Sequence, residues 1–526
     1  MKRTVNLSGC ACCGISRRNF LAAGCAACAG AVGLMAGTRP VHAAGAGAKF
    51  KIRVVYSLHA ATQPSPDWPN IGFEFTPVME QITGALSQGC PEFEFVTALA
   101  SGPEQAKKVV EQDASENIDG YVIYQMNAWN KVVQTVADTG KPVLYADFAY
   151  GGSGGFLVYN AGFLREKRPN IGFVSSSNMD DVVAAVKCFG LVKGGNGVAD
   201  FVAATAKARV DRTAKPTEGA CKPDNLQTLK FDEWQARMKS SKILAVRDEK
   251  SAGPVEGPGG VLLGAQVMHV PYSELNDAWA AADKDEAKAI VDKWEKLATV
   301  IKDVSRETLE TSAAMYLGEK AVLKKYGANA ITINCLGGFY GKHIFAYPCL
   351  GFYELNNEGL VGGCECDVAS AATMLAFSTL TGGRPGYISD PVMDSAKRQI
   401  IYAHCVASNK AFGPKGESNP IEILTHSEDR QGACVRSILP VGYMTTTMEL
   451  KQDRKEILFH QAKAVGNDPN DRACRTKLCG EPVGDFEKLF SLWDQWGWHR
   501  VTFYGDLKQP VFALADAIGW KVVEEA

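Results

Sequence analysis

The chain has 526 residues, which is too long for a single hydrophobic core and predicts several packed domains. Hydrophobic residues make up 46% and charged residues 22% of the sequence, a composition typical of a globular protein and unlike that of a disordered or fibrous one. The 56 lysine and arginine residues nearly balance the 58 aspartate and glutamate residues, so the formal net charge is -2. Because no long basic run follows the N-terminus, nucleic acid is not expected as a partner.

The N-terminal segment has the pattern of an export signal. Arg17 and Arg18 stand in the motif SRRNFL, which resembles a twin-arginine signal and is followed by a weakly apolar run. The small residues that end at Ala43 provide a cleavage site. The alternative, an arginine pair on an ordinary helix followed by a buried helix, does not explain such a site. We therefore expect a signal peptide over residues 1–43, the twin-arginine translocase as the partner during export, and a mature chain that begins near Ala44.

The mature chain is expected in the periplasm or outside the cell. Beyond the signal, no stretch has the roughly 20 consecutive apolar residues needed to cross a bilayer. An uncleaved signal, or a lipid on Cys25 behind a weak lipobox, is the alternative and would hold the protein at the membrane. The twin-arginine route implies a protein that folds before export, so a weakly bound metal ion could be acquired where copper and zinc are scarce.

Short apolar runs alternate with helical stretches in residues 44–166, and this alternation predicts a parallel, doubly wound, Rossmann-like sheet. The glycine-rich segment 151–155 lacks the Lys-Ser/Thr of a phosphate-binding loop, so it is predicted to be a plain flexible loop. The predicted strands are 52–56, 93–96, 120–124 and 142–146, and the predicted helices are 77–86, 103–112 and 131–137.

Two further regions follow, and together they predict an α/β protein with two Rossmann-like domains and a distinct C-terminal α/β domain. Residues 167–329 form the second predicted domain, with strands at 171–174 and 242–246 and a helix at 284–302. Residues 330–526 hold eight of the eleven cysteines that follow the signal, and four of the eight histidines lie beyond residue 370. This last region is therefore the predicted catalytic and metal-binding domain.

Acids and histidines stand at the predicted ends of strands in the C-terminal region. Glu365 precedes a predicted helix, Asp390 ends a predicted strand, His404 lies near the end of another, and His499 precedes a late strand. Each of these residues alone is more often salt-bridged or part of a core. Together they predict one site with oxygen and imidazole donors, and Glu358 and Asp367 are the alternative acids.

The segments 365–390 and 497–522 resemble the C-terminal domain of L-fucose isomerase, in which a glutamate, an aspartate and a late histidine bind Mn²⁺. The placement of His404 between them resembles L-arabinose isomerase, which uses two acids and two histidines. The resemblance covers residues 330–526, whereas the earlier regions share only βα architecture with this superfamily. It implies Mn²⁺, with Mg²⁺ or another divalent ion as the alternative, held by Glu365, Asp390, His404 and His499.

The resemblance also implies an aldose–ketose isomerase that acts on a sugar through an enediolate. Such a reaction needs a hard Lewis acid and carboxylates close to both carbons, so Glu365 and Asp390 are the expected acid–base pair. His426, Arg430 and Trp498 are the candidates for contact with the sugar. Relatives of this kind are commonly trimers or hexamers, so a homo-oligomer is expected.

Other interpretations of the metal site and of the function remain open from the sequence. Cys364, Cys366 and Cys405 could form a thiolate zinc site, although alternation along a strand would turn the first two away from Glu365. The function could also be that of a non-catalytic periplasmic sugar-binding protein, which would not need the acids and histidines. A metal-dependent carbohydrate lyase or epimerase would keep them.

Overall fold

A five-stranded parallel sheet begins the part of the chain that the computed structural model describes, residues 49–526. Its strands are β1 (Phe50–Ser57), β2 (Phe93–Ala100), β3 (Gly120–Gln125), β4 (Val143–Asp147) and β5 (Ile171–Val174). They are arranged in the order β2-β1-β3-β4-β5, and every pairing is parallel. The central strands β3 and β4 are buried along their whole length, as expected where helices cover both faces of a parallel sheet. The predicted parallel α/β sheet is confirmed.

Seven helices accompany this sheet. They are α1 (Thr76–Gly89), α2 (Pro103–Glu116), α3 (Val132–Ala137), α4 (Ser153–Glu166), α5 (Met179–Lys187), α6 (Phe189–Lys193) and α7 (Val198–Arg212). The glycine-rich segment predicted to be a flexible loop instead leads into α4 and packs closely on the end of β3. A Cβ on Gly152 would lie 1.9 Å from the carbonyl oxygen of Gln125, a distance that no side chain tolerates.

A second sheet draws its strands from both sides of residue 329. It contains β6 (Lys242–Val246), β7 (Gly253–Pro254), β8 (Val261–Leu262), β9 (Ala265–Val270), β11 (Ala330–Ile333) and β12 (Val361–Cys364). The parallel order is β12-β11-β6-β9, and the short β7 and β8 pair antiparallel with β9. A small third sheet is formed by β10 (Ala298–Lys302), β15 (Ile421–Leu424) and β16 (Cys434–Ser437).

Seven helices surround these two sheets. They are α8 (Phe231–Ser240), α9 (Tyr272–Ala280), α10 (Lys284–Leu297), α11 (Arg306–Tyr326), α12 (Cys335–Tyr340), α13 (Cys349–Asn357) and α14 (Val368–Leu380). The longest of them, α11, packs against α9, α10 and α13.

The C-terminal region contains a closed antiparallel barrel. Its strands are β13 (Tyr387–Asp394), β14 (Gln399–His404), β17 (Met444–Lys451), β18 (Glu456–Asn467), β19 (Thr476–Val483) and β20 (Arg500–Tyr504). The order is β17-β20-β13-β14-β19-β18, and the pairing of β17 with β18 closes the ring. The remaining elements are α15 (Trp493–Trp496), α16 (Lys508–Ile518) and β21 (Lys521–Glu524), of which β21 pairs with β18.

The barrel differs from the α/β domain expected from the sequence. Strand β13 is buried at all eight positions, so its sequence lacks the polar–apolar alternation that marks a half-exposed antiparallel strand. A continuous buried run is equally compatible with a parallel strand, and the sequence therefore could not reveal the closure.

Residues 49–526 form one compact unit, and within them no helix is both long and apolar enough to cross a membrane. The predicted signal peptide lies outside the described residues. The predicted boundaries after residues 166 and 329 stay predictions.

Candidate metal centre

Strand register in the barrel brings two histidines to one aspartate. Ser389 pairs with Arg500, so one step further Asp390 of β13 faces His499, which precedes β20. On the other side Asp390 pairs with Ala403, whose neighbour His404 ends β14. The three side chains thus meet where β14 ends and β20 begins, beside the middle of β13, whereas the sequence had predicted Asp390 at the end of its strand.

A strained turn supplies Glu365. Strand β12 ends at Cys364, and the next two residues, Glu365 and Cys366, have φ angles of 63° and 55°. Left-handed backbone costs a non-glycine residue roughly 1–2 kcal/mol, and such strain is concentrated at functional sites. The backbone N–H of Cys366 donates to the carbonyl of Ile333 at 2.9 Å and holds the turn. Glu365 therefore leaves the sheet and reaches the barrel residues. The expectation that residues 364–366 continue as a strand is wrong.

The distances are those of a common centre. His499 Nε2 lies 3.2 Å from Asp390 Oδ1 and 3.4 Å from Glu365 Oε2, and ligand atoms of these three residues all lie within 4.8 Å of one another. His404 is attached to the group through Asp390, because its Nδ1 donates to Asp390 Oδ2 at 3.1 Å. It also belongs to a second group of possible ligands, with Asp390 and Cys474, that satisfies the same 4.8 Å limit.

Several buried atoms at this centre lack a hydrogen bond. Among residues 49–526, His404 Nε2, His499 Nε2 and Asp390 Oδ1 find no hydrogen-bond partner, since the close contacts of His499 Nε2 do not have hydrogen-bond geometry. An unsatisfied buried polar atom costs about 1–3 kcal/mol. Two carboxylates and two imidazoles are donors suited to a divalent ion such as Mn²⁺ or Mg²⁺. The residues present therefore fit a metal ion, which Glu365, Asp390 and His499 could hold with His404 beside them.

The electrostatics couple these residues strongly. Burial would raise the pKa of Asp390, but the charges of His404 and His499 outweigh it and hold the pKa at about 2. Burial opposes protonation of His404, yet Asp390 raises the pKa of this imidazole to about 9. Against the same burial, Asp367, Asp390 and Glu365 raise the pKa of His499 well above its usual value. A bound cation would compete with these protons for the same lone pairs.

Asp367 holds His499 in place from the other side. Its Oδ2 accepts from His499 Nδ1 at 2.9 Å and from the Ser370 hydroxyl at 3.0 Å, while Oδ1 accepts from the Ser370 backbone N–H. Asp367 is thus both the N-cap of α14 and the residue that directs His499 Nε2 toward Asp390. An Asp immediately before a helical run was the sequence signal for this role. Glu358, the other alternative acid, instead accepts from Tyr316 and Lys320.

A cavity of about 370 Å³ opens on Glu365 and Asp390. Half of its wall comes from the first sheet, from segments that follow β1, β3 and β4 at the carboxyl edge where ligands of parallel α/β sheets bind. From this edge come Pro66, Asp67, Trp68, Ala128, Trp129, Gly151 and Gly154, and the other half of the wall is Leu336, Gly337, Tyr340, Glu365, Asp390, Glu428 and Trp498.

Aromatic side chains form one wall of the cavity. The rings of Trp129 and Trp498 meet edge to face with centroids 6.2 Å apart. Trp129 is 50% exposed and has a φ of 65°, so a large apolar ring is held open to solvent by an unfavourable backbone conformation. A Cβ on Gly154 would lie 3.2 Å from Trp129 and 3.3 Å from Trp498, which shows how closely helix α4 supports both rings.

Of the three residues predicted to contact the sugar, only Trp498 lines the cavity. His426 and Arg430 lie outside it. His426 is buried, contacts Asp429 at 3.3 Å and packs on Phe339. Arg430 forms a 3.0 Å ion pair with Asp471.

Sequence reasoning missed Asp67, Trp68, Trp129 and Glu428, which do line the cavity. The first three follow β1 and β3, so the rule for carboxyl strand edges could have found them. Nothing local marked Glu428.

The thiolate alternative is not assembled in the structure. Cys364 contacts Cys335, and Cys405 contacts Cys434 and Cys474. Within residues 49–526, no cluster of possible metal ligands combines Cys364, Cys366 and Cys405.

Comparisons with known proteins give distant matches. No family model matches the chain. It is 23% identical to a sulfoquinovose isomerase from Clostridium sp. (strain MSTE9) over 264 residues, which are 48% of this chain and 57% of that protein. It is 29% identical to a sulfoquinovose isomerase from Priestia aryabhattai over 118 residues, which are 22% of this chain and 26% of that protein. The matched part of the chain thus spans 57% of the first of these relatives and 26% of the second.

Solved structures add little. A sugar ABC transporter from Yersinia enterocolitica is 14% identical and the match covers 54% of this chain and 65% of that one, but the TM-score of 0.16 carries no argument about the fold.

Proposed function

We propose that this protein is a metal-dependent aldose–ketose isomerase related to the L-fucose isomerase family. The observation that carries the proposal is the convergence of Glu365, Asp390 and His499 at a cavity with aromatic walls. The names of the relatives, sulfoquinovose isomerases at 23% and 29% identity, support a sugar isomerase.

The protein's own side chains supply the acid–base chemistry. Glu365 is 30% exposed and faces the cavity, so its carboxylate is the group that can reach a sugar carbon and carry a proton between C1 and C2. Asp390, buried between two imidazoles, remains ionised and fixes their orientation. A divalent ion, preferably Mn²⁺, held by Glu365, Asp390 and His499 would supply the Lewis acidity that acidifies the carbon-bound proton. Trp129 and Trp498 provide apolar faces against which the C–H face of a sugar can stack.

Metal dependence and sugar turnover are tested together. Purified protein loaded with Mn²⁺ should convert at least one aldose to its ketose, and removal of the ion with a chelator should abolish the conversion until Mn²⁺ is restored. Ketose formation is measured by chromatography across a panel of neutral and anionic aldoses. Binding of sugars without conversion would replace the proposal with a sugar-binding protein, and cleavage or epimerisation would replace it with a lyase or an epimerase.

We also propose export by the twin-arginine route to the periplasm or the exterior, on the pattern of residues 16–43. Arg17→Lys combined with Arg18→Lys should leave the protein in the cytoplasm with its activity unchanged. Cell fractionation and immunoblotting measure the distribution, and Arg3→Lys, outside the motif, is the control. Normal export of the double variant would refute this route.

A homo-oligomer, trimeric or hexameric, is part of the same proposal and is measured by light scattering.

A further inference from the structure

The cavity carries an unbalanced negative charge. Four carboxylates line it, those of Asp67, Glu365, Asp390 and Glu428. Within residues 49–526, none of the side chains that line it is a lysine or an arginine. A divalent ion at the candidate metal centre would balance Glu365 and Asp390. Asp67 and Glu428 would remain.

Basic groups beside these carboxylates are already engaged. His404 and His499 contact Asp390 and Glu365 at the candidate metal centre, so they offer no free positive charge to the cavity. His59 Nε2 contacts Asp67 at 3.0 Å on the exposed side of the loop. His426 contacts Asp429, and Arg430 is paired with Asp471. The position of Glu428 is fixed, because its Oε2 accepts from the Tyr340 hydroxyl at 2.7 Å and its backbone carbonyl accepts from the N–H of Ile71. This carboxylate therefore cannot turn away from an incoming ligand without breaking those contacts.

Burial is the main cause that raises the pKa of Glu428 to about 7; the charges of Glu365 and Asp67 add to the rise, and His426 and the Tyr340 hydroxyl oppose it. The Glu428 carboxyl is therefore fully negative only above neutral pH, and its effect on an anionic sugar should grow as the pH rises. An anionic group placed beside these carboxylates would meet the same repulsion.

The dimensions of the cavity suit a single sugar ring. Its volume of about 370 Å³ is near the lower end of ligand pockets, which span about 300–1,000 Å³. Polar carboxylates on one side and the Trp129 and Trp498 rings on the other match the hydroxyl edge and the apolar face of an uncharged monosaccharide.

We infer that the cavity selects an uncharged aldose and rejects sulfonated, phosphorylated and carboxylated sugars, with Asp67 and Glu428 as the specificity-determining residues. The inference rests on the proposed isomerase function and names its substrate class. It separates this chain from the relatives named for sulfoquinovose, a sulfonated sugar.

Matched pairs of sugars test the inference. D-Glucose, sulfoquinovose, glucose 6-phosphate and glucuronate share one ring and differ in charge at C6, and L-fucose and L-arabinose extend the neutral set. The expected result is a kcat/KM for the best neutral sugar at least about 100-fold above that for any anionic one. Equal or better turnover of the anionic sugars would overturn the inference and leave the isomerase proposal standing. Absence of ketose from every sugar would overturn both.

Charge-removing variants locate the selectivity. Glu428→Gln and Asp67→Asn keep the shape of each side chain while removing one negative charge, so each should lower the neutral-to-anionic ratio by about 10-fold. Glu417→Gln removes the same charge from an exposed position outside the cavity and should leave the ratio unchanged. An unchanged ratio in both cavity variants, or an equal drop in the Glu417 control, would contradict the assignment of these two residues.

Discussion

Replacing Glu365 with glutamine should lower kcat by at least about 10²–10⁴-fold, the usual contribution of a general acid or base, while the protein keeps its fold. The amide preserves the size of the side chain but can neither carry the proton nor provide an anionic ligand. Glu365 is 30% exposed and lies in a turn held by backbone contacts, so the substitution leaves the core intact.

The matched control for this experiment is Glu358→Gln. Glu358 also stands in the C-terminal region but binds Tyr316 and Lys320, outside the cavity, so its replacement should leave kcat within a few-fold of the original. Steady-state kinetics give kcat, and a thermal melt checks folding. If Glu365→Gln retained full turnover, Glu365 would not be the base.

The second large effect concerns stability. Replacing Glu525 with alanine should lower the free energy of unfolding by about 3–5 kcal/mol, because the change leaves the buried guanidinium of Arg500 without its counter-charge. Glu525 Oε1 accepts from Arg500 at 2.7 Å and Oε2 accepts from His460 Nδ1 at 2.9 Å, and all three side chains are fully buried. Arg500 directly follows His499, so disorder here would also reach the metal centre.

Glu524→Ala is the control, because Glu524 is 46% exposed and its 3.5 Å ion pair with the exposed Lys508 is open to solvent. Urea unfolding should show less than about 1 kcal/mol for this surface change. Equal effects of the two substitutions would contradict a stabilising role for the buried network.

The Glu525 carboxylate should also account for part of the loss of stability at low pH. Burial would raise the pKa of Glu525, but Arg500 and His460 hold it at about 2, below its ordinary value of 4.5. Its contribution is therefore complete above about pH 4.5 and is lost as the pH falls through about 2. Glu525→Ala should lack that share of the acid-induced loss of stability.

The sequence predicted the parallel α/β beginning because β3 and β4 are largely continuous apolar runs and β1 is rich in β-branched and aromatic residues, with helical stretches between the strands. It did not predict the barrel, because the pairing of β17 with β18 and β20 is a contact between separate strands, and the polar residues of β17 are buried rather than exposed on one face. Closure is a property of long-range pairing, which local patterns do not contain.

The candidate metal ligands could be predicted, because their residue types and spacing are visible in the sequence. Glu365, Asp390, His404 and His499 lie in strands or directly beside them in one region, and the structure places them together. The cavity was harder to foresee, because Trp129 and Asp67 come from the first sheet, several hundred residues before the barrel. His426 and Arg430 were attractive as polar residues in a turn, but each is paired with an aspartate, and only a three-dimensional structure reveals such partners.

Proton transfer between two sugar carbons is the central claim, and exchange with solvent tests it most directly. Protein loaded with Mn²⁺ and incubated with a competent aldose in D₂O should form a ketose that carries deuterium at C1, provided that the Glu365 carboxyl exchanges its proton before returning it. NMR detects the label, and Glu365→Gln should incorporate none. If no aldose is either converted or labelled while Mn²⁺ is demonstrably bound, the isomerase account is contradicted.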